Sequence, residues 1–158
     1  MLDAECRPAA LYRWVHDLAD YPQWLDLVHR AVPDDPAPAN DGPAAWSVEL
    51  RARVGPLARS KRLRMVRTQA IDNEVVRFER SEVDGRNHSA WVLQARIVDL
   101  ASLAGGATPS SQLTMTLHYG GGLWSGAVLE RVLNDQINKG RDQLKALVES
   151  PAGASPAP

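Results

Sequence analysis

Three polar side chains stand where chemistry could be done within an otherwise apolar space: Arg67, Arg80 and Tyr119. Arg67 follows Leu63 and Met65 at a spacing of two, Arg80 follows Val76 and Phe78, and Tyr119 follows Leu117. On strands, each would share the inward face of its apolar neighbours near a strand end. Two readings stand side by side. An arginine and a phenol so placed can bind a carbonyl, enolate or carboxylate while rings hold an apolar body. Equally, an unpaired cation among apolar groups is costly, so each arginine can snorkel to the rim or pair with an acid such as Glu79, Glu82 or Asp99.

Other chemistries find little support. His16, His29, His88 and His118 show neither i,i+4 spacing nor an HxH pair, so no metal is expected. No Ser/His/Asp word, nucleophile elbow or phosphate loop occurs, so no catalytic residue is assigned and no cofactor is expected. His88 lies on the phase opposite Trp91, and the lone Cys6 reads as a small core residue. The basic row Arg51, Arg53, Arg59, Lys61, Arg62, Arg64 and Arg67 contains no acid. Most of it falls on the outward strand phase, as a solvated convex face does. The alternative use of Arg51, Arg53 and Arg64 is contact with a ribosome or another anionic surface. DNA is not expected as a partner, because 18 Lys+Arg against 19 Asp+Glu leave a net charge of −1.

The elements that must position these residues sort by hydrophobic period. From Pro8, the residues Leu11, Trp14, Val15 and Leu18 follow helical spacing, and Tyr21–Val28 restarts at Pro22 as a second short helix. Trp46, Val48, Leu50, Ala52 and Val54 then alternate with polar residues as a strand ended by Gly55-Pro56. Further strands are expected over about 61–68, 75–81, 87–100 and 112–120, with hairpin chemistry at Asp84-Gly85 and a loop at 104–109. The short connections make an antiparallel meander. From an N-cap at Ser125, apolar residues recur at helical spacing up to Glu149, giving a helix of roughly 36 Å. That length matches the width of a sheet of about five or six strands.

On this phase the inward rings and sulfurs are Trp46, Met65, Phe78, Trp91, Met115 and Tyr119, accompanied by Leu50, Leu93 and Leu117. They face Leu129, Val132, Leu133 and Ile137 of the last helix. Such a set can fill a core or line an adaptable pocket, and periodicity does not separate the two.

The 158 residues, 44% hydrophobic, suit one domain over residues 1–149. Pro/Ala-rich stretches at 33–45 and 150–158 read as a flexible insertion and a disordered tail. One cysteine, no signal-peptide pattern and no apolar run of about 18 residues lead to a cytoplasmic expectation. Five Trp and three Tyr against one Phe put most aromatic volume in rings with a polar handle.

A short strand near Leu2–Cys6, a helix, the word Tyr21-Pro22-Gln23-Trp24, an antiparallel sheet and a long amphipathic C-terminal helix together resemble the START-like, or SRPBCC, superfamily. Within it the chain is most similar to the polyketide cyclase/dehydrase and coenzyme Q-binding branch. The resemblance spans about residues 2–149. It implies an α+β helix-grip fold, a curved antiparallel sheet wrapped around the C-terminal helix, with two short helices near the N-terminus. It also implies a cavity for a hydrophobic small molecule, a lipid, isoprenoid quinone or polyketide-like ring, with Trp24 at its entrance. Trp24 as a staple of its helix corner is the competing reading. The fold also hosts cyclase/aromatase enzymes and a ribosome-associated toxin, so it carries little functional specificity.

Overall fold

The computed structural model describes residues 1–34, 43–54, 57–120 and 127–150. Its elements run β1 (Leu2–Ala4), α1 (Pro8–Val15), a 3-10 helix (Leu18–Gln23), β2 (Val28–Pro33), β3 (Ala45–Val54), β4 (Leu57–Ile71), β5 (Val75–Arg80), β6 (Trp91–Asp99), α2 (Leu100–Ala104), β7 (Ser111–Tyr119) and α3 (Ala127–Glu149). The strands form one curved antiparallel sheet in the order β1-β7-β6-β5-β4-β3-β2. The terminal strand β1 closes back on β7, Leu2 opposite Leu113, while α3 packs against β1, β3 and α1.

Alternation places the apolar phase of the sheet on one side. Trp46, Val48 and Leu50 of β3, Leu63 and Met65 of β4, Val76 and Phe78 of β5, and Ala95 and Ile97 of β6 are all buried. Cross-strand register joins them: Trp46 is opposite Met65, Phe78 opposite Leu93, and Ile97 opposite Leu113. Between Arg67 and Gln69 the β4–β5 register slips, with two residues of β4 set against one of β5, a bulge that bends the strand. Pro8 starts α1, whose Leu11 and Val15 are buried against the same core.

Several boundaries differ from the sequence reading. β4 covers Leu57–Ile71 where 61–68 was expected, and β6 starts at Trp91 where a start near 87 was expected. The second helix is a 3-10 helix that stops at Gln23, ahead of the expected Val28. Asp17 caps it by accepting the Ala19 N–H at 2.8 Å, and Pro22, lacking an N–H, sits inside its last turn. The apolar run that follows is not helical but leads into β2. That strand was not foreseen, because in Val28-His29-Arg30-Ala31-Val32-Pro33 only Val28 is buried, and its pairing comes from β3. Pro33 is tolerated there because β2 is a sheet edge.

Both ends of the stretch expected as an insertion, 33–45, belong to the sheet. Pro33 and Ala45 lie in strands, and the Asp34 N–H donates to the Ala45 carbonyl at 2.8 Å; residues 35–42 lie outside the described residues. Lastly, the short α2 interrupts the stretch before 104–109, capped by the Asp99 carboxylate on the Ser102 N–H and ended by Gly105 in the left-handed region at φ 63°. Gly85 has φ 71°, as the Asp84-Gly85 turn requires. The expected Ser125 cap, the Gly55-Pro56 turn and residues 151–158 lie outside the described residues.

Tyr21 anchors the turn between α1 and the sheet. Its ring is fully buried and its hydroxyl donates to the Val15 carbonyl at 3.1 Å; burial pushes the phenol well above its ordinary value of 10.0. Burial also raises the Tyr12 phenol, helped by Asp72, and the Cys6 thiol, helped by Glu149. For acids whose folded pKa is raised, stability is complete below the unfolded pKa and is lost as pH rises above it. The expected result is a fall in unfolding free energy of about 1.4 kcal/mol per pH unit from Tyr21 above about pH 10. Urea unfolding across that range should show the slope, and Tyr21→Phe should remove Tyr21's share.

Candidate functional site

An apolar groove of about 150 Å³ opens between α3 and the β6–β7–β1 end of the sheet. The sheet contributes Leu93, Leu113, Met115 and Leu2, side chains of one face by the alternation above. From α3 come Ile137, Arg141 and Leu144, which fall at i, i+4 and i+7 on one flank of the helix, with Asn138 beside them. The segment leaving the 3-10 helix closes the remaining side with Trp24, Leu25 and Leu27. Leu144, Leu113, Trp24 and Leu27 are buried, whereas Leu117 and Ile137 are 42% and 47% exposed, so apolar surface reaches solvent at the mouth.

Trp24 is held by two contacts. Its Nε1 donates to the Trp14 carbonyl at 3.2 Å, and its ring lies 4.7 Å from that of Tyr21. It therefore staples its corner and also walls the groove. α3 comes close to this segment because position 140 is glycine: a Cβ there would lie 2.9 Å from Leu25 Cδ1 and 3.0 Å from the Trp24 carbonyl oxygen. Lys139, next to it, pairs with Asp26. Alanine in a helix interior ordinarily gains about 1 kcal/mol over glycine. Gly140→Ala should show no such gain, and Gly140→Val should lose about 1–3 kcal/mol by overpacking, as read by urea unfolding.

Of the residues singled out from sequence, Trp24, Leu93, Met115, Leu117 and Ile137 come together in this groove. Trp46, Leu50, Met65, Phe78 and Trp91 share the inward face but are buried in the core. Phe78 packs edge-on to Trp46, 5.5 Å between centroids, and the Trp46 Nε1 is buried with no hydrogen-bond partner among the described residues. Trp91 carries the Lys61 ammonium 5.2 Å from its ring centre. Burial, with the Arg80 charge second, lowers the Lys61 pKa against the raising effect of Glu82. The side chains of Tyr119, Leu129 and Leu133 lie outside the described residues, although the Tyr119 backbone pairs with Trp91.

Both arginines are engaged by the protein. Arg67 donates to the His16 carbonyl at 3.0 Å, and its guanidinium carbon lies 5.7 Å from the centre of the Trp46 ring. Arg80, its side chain only 9% exposed, pairs through Nε with Glu82 at 2.6 Å. Its remaining nitrogens reach the Ser89 carbonyl at 3.4 Å and His88 Nδ1 at 3.2 Å. Since a guanidinium only donates, His88 Nδ1 accepts and the ring proton sits on Nε2, which faces Asp84 at 2.9 Å. Glu79 instead holds Arg77 at 2.7 Å, which with Thr68 keeps its carboxyl below the usual range.

Acids do enter the basic row, from neighbouring strands and the hairpin. Glu49 lies 3.1 Å from Arg51 and 3.9 Å from Arg62, and Asp34 holds Arg64. The side chains of Arg53 and Arg59 lie outside the described residues. Among the described residues, no group of three His, Cys, Asp or Glu is gathered as metal ligands, and no helix is long and apolar enough to cross a membrane.

Leu2, Leu25, Leu27, Asn138, Arg141 and Leu144 were not foreseen as groove residues. The available signal was helical phase, because Arg141 and Leu144 follow Ile137 at the spacing of one flank.

No family model and no curated protein matches this sequence. Similar solved structures do exist. A START superfamily protein from Mycobacterium smegmatis is 13% identical with a TM-score of 0.62, over 94% of this chain and 93% of that one. The di-domain aromatase/cyclase BexL from the BE-7585A biosynthetic pathway is 16% identical with a TM-score of 0.54, over 94% of this chain and 48% of its own, so this chain spans about half of it. Ara h 8.0201 is 10% identical with a TM-score of 0.55, over 92% of each. These identities speak for architecture alone, and with the curved antiparallel sheet and the C-terminal helix packed on it they establish that the chain has the START-like helix-grip fold.

Proposed function

We propose that this protein binds a hydrophobic small molecule between the sheet and α3. The observation that carries this reading is the apolar groove, walled by Trp24, Leu93, Leu113 and Met115 and open at Leu117 and Ile137. Its volume is that of a cavity able to take about one benzene ring. The ligand classes implied by the resemblance, lipid, isoprenoid quinone or polyketide-like ring, all present an apolar portion of that size. Burying about 200 Å² of such a ligand contributes about 5 kcal/mol before the costs of association, enough for useful affinity without many polar contacts.

Binding is favoured here over turnover. A cyclase-type reaction would use Arg67, Arg80 or Tyr119 to stabilise an enolate; the two guanidiniums are engaged by His16, Glu82, His88 and Ser89, and the Tyr119 side chain lies outside the described residues. Native mass spectrometry of gently purified protein should detect a co-purified apolar molecule. Protein stripped by organic extraction should regain saturable binding of a hydrophobic fluorescent probe, weakened by Met115→Glu in the groove wall. A stripped protein that binds no apolar probe would overturn the reading.

A further inference from the structure

We infer that the groove selects an amphipathic monocarboxylate, its ring-sized apolar body held against Trp24 and Leu113 and its carboxylate bound at the mouth by Arg141 and Asn138. The inference rests on the binding reading above and names the ligand class for the same site. Arg141 is the only charged side chain lining the groove among the described residues, and no acidic side chain lines it. A ligand entering with its apolar end first therefore leaves its other end beside a guanidinium whose partner, Asp142, does not line the groove.

The present partner of Arg141 is a weak competitor. Its Nε and Nη2 reach Asp142 Oδ1 at 3.2 and 3.1 Å, a contact between adjacent residues in which the Asp142 side chain is 71% exposed. Such exposed pairs contribute little, because water screens them and two side chains must be held in place. A carboxylate that keeps its apolar body in the groove can displace it, because the body restrains the head at the mouth. The planar guanidinium fork suits a planar carboxylate, and the Asn138 amide, one turn back along α3, supplies a further donor. The groove is thus apolar at its floor and cationic at its rim, which neither a neutral hydrocarbon nor a cation would satisfy.

Isothermal titration of the full chain with phenylbutyrate and with its neutral counterpart phenylbutanol, near pH 7 and at low salt, tests this. The acid should bind about 10-fold more tightly than the alcohol, the scale of one hydrogen bond to a charged group. The preference should shrink as salt is added. In Arg141→Gln the acid should fall to within about twofold of the alcohol, by the same arithmetic. Equal affinities in the natural chain, or a preference that survives Arg141→Gln, would overturn the inference while leaving hydrophobic binding intact. If neither compound binds saturably, the binding reading falls with it.

Discussion

Phe78→Ala lowers the unfolding free energy by about 3–5 kcal/mol, the range for deleting a fully buried aromatic side chain. Phe78 has no exposed surface and lies centrally in the sheet, its backbone paired with Arg67 on one side and Leu93 on the other. Its ring meets Trp46 edge-on at 5.5 Å and Tyr21 edge-on at 6.4 Å, contacts worth about 0.5–1.5 kcal/mol each beyond burial. Neither neighbour can move in to fill the space cheaply. Tyr21 is tied to the Val15 carbonyl, and Trp46 is fixed by its strand register opposite Met65. The void therefore persists and carries its own cost. Against a total of about 5–15 kcal/mol, the variant is marginal. Urea unfolding followed by tryptophan fluorescence checks it, and a loss below about 2 kcal/mol would show that the site is loosely packed.

Trp24→Ala has a comparable cost, about 3–5 kcal/mol, and it also removes one wall of the groove. Trp24→Phe separates the two roles. It keeps a ring beside Tyr21 and loses the Nε1 bond to the Trp14 carbonyl, a change of about 1 kcal/mol. Alanine should thus abolish binding of an apolar probe even where enough folded protein remains, whereas phenylalanine should retain it. If Trp24→Ala binds the probe as well as the natural chain does, Trp24 is a staple alone. Stability is read by urea unfolding and binding by probe titration.

Much of the architecture was legible in the chain because one physical signal carries it. Residues 46–54, 75–80 and 111–119 alternate with period two, and 127–149 repeats with helical period, so each element declares which face must be buried. The strand β2 does not declare itself. Its exposed His29, Arg30 and Val32 carry no alternation, and its existence depends on the backbone groups that β3 offers. The 3-10 helix was mistaken in length for a related reason: Trp24, Leu25 and Leu27 are apolar on behalf of the groove and core, and not of a helix face.

The groove shows the same division. Sequence phase identified Leu93, Met115 and Leu117, because membership of an inward face is a local property. It could not decide that Trp46 and Phe78 are packed against each other while Met115 meets open space, since that depends on where α3 comes to rest. That position follows from Gly140, whose missing side chain admits the Trp24 carbonyl from far away in the chain.

By itself, then, the sequence determined the inward faces of its strands and the amphipathic last helix, set by periodicities spanning a few residues, and the order of those elements carried the resemblance that implied the helix-grip fold. Only the tertiary structure decided which inward residues line a space and which cations are already satisfied. Arg67 finds the His16 carbonyl across 51 positions, and Arg64 finds Asp34 across 30. The reason is physical: packing and charge compensation act through space between segments remote in sequence, and no local pattern encodes which distant groups meet.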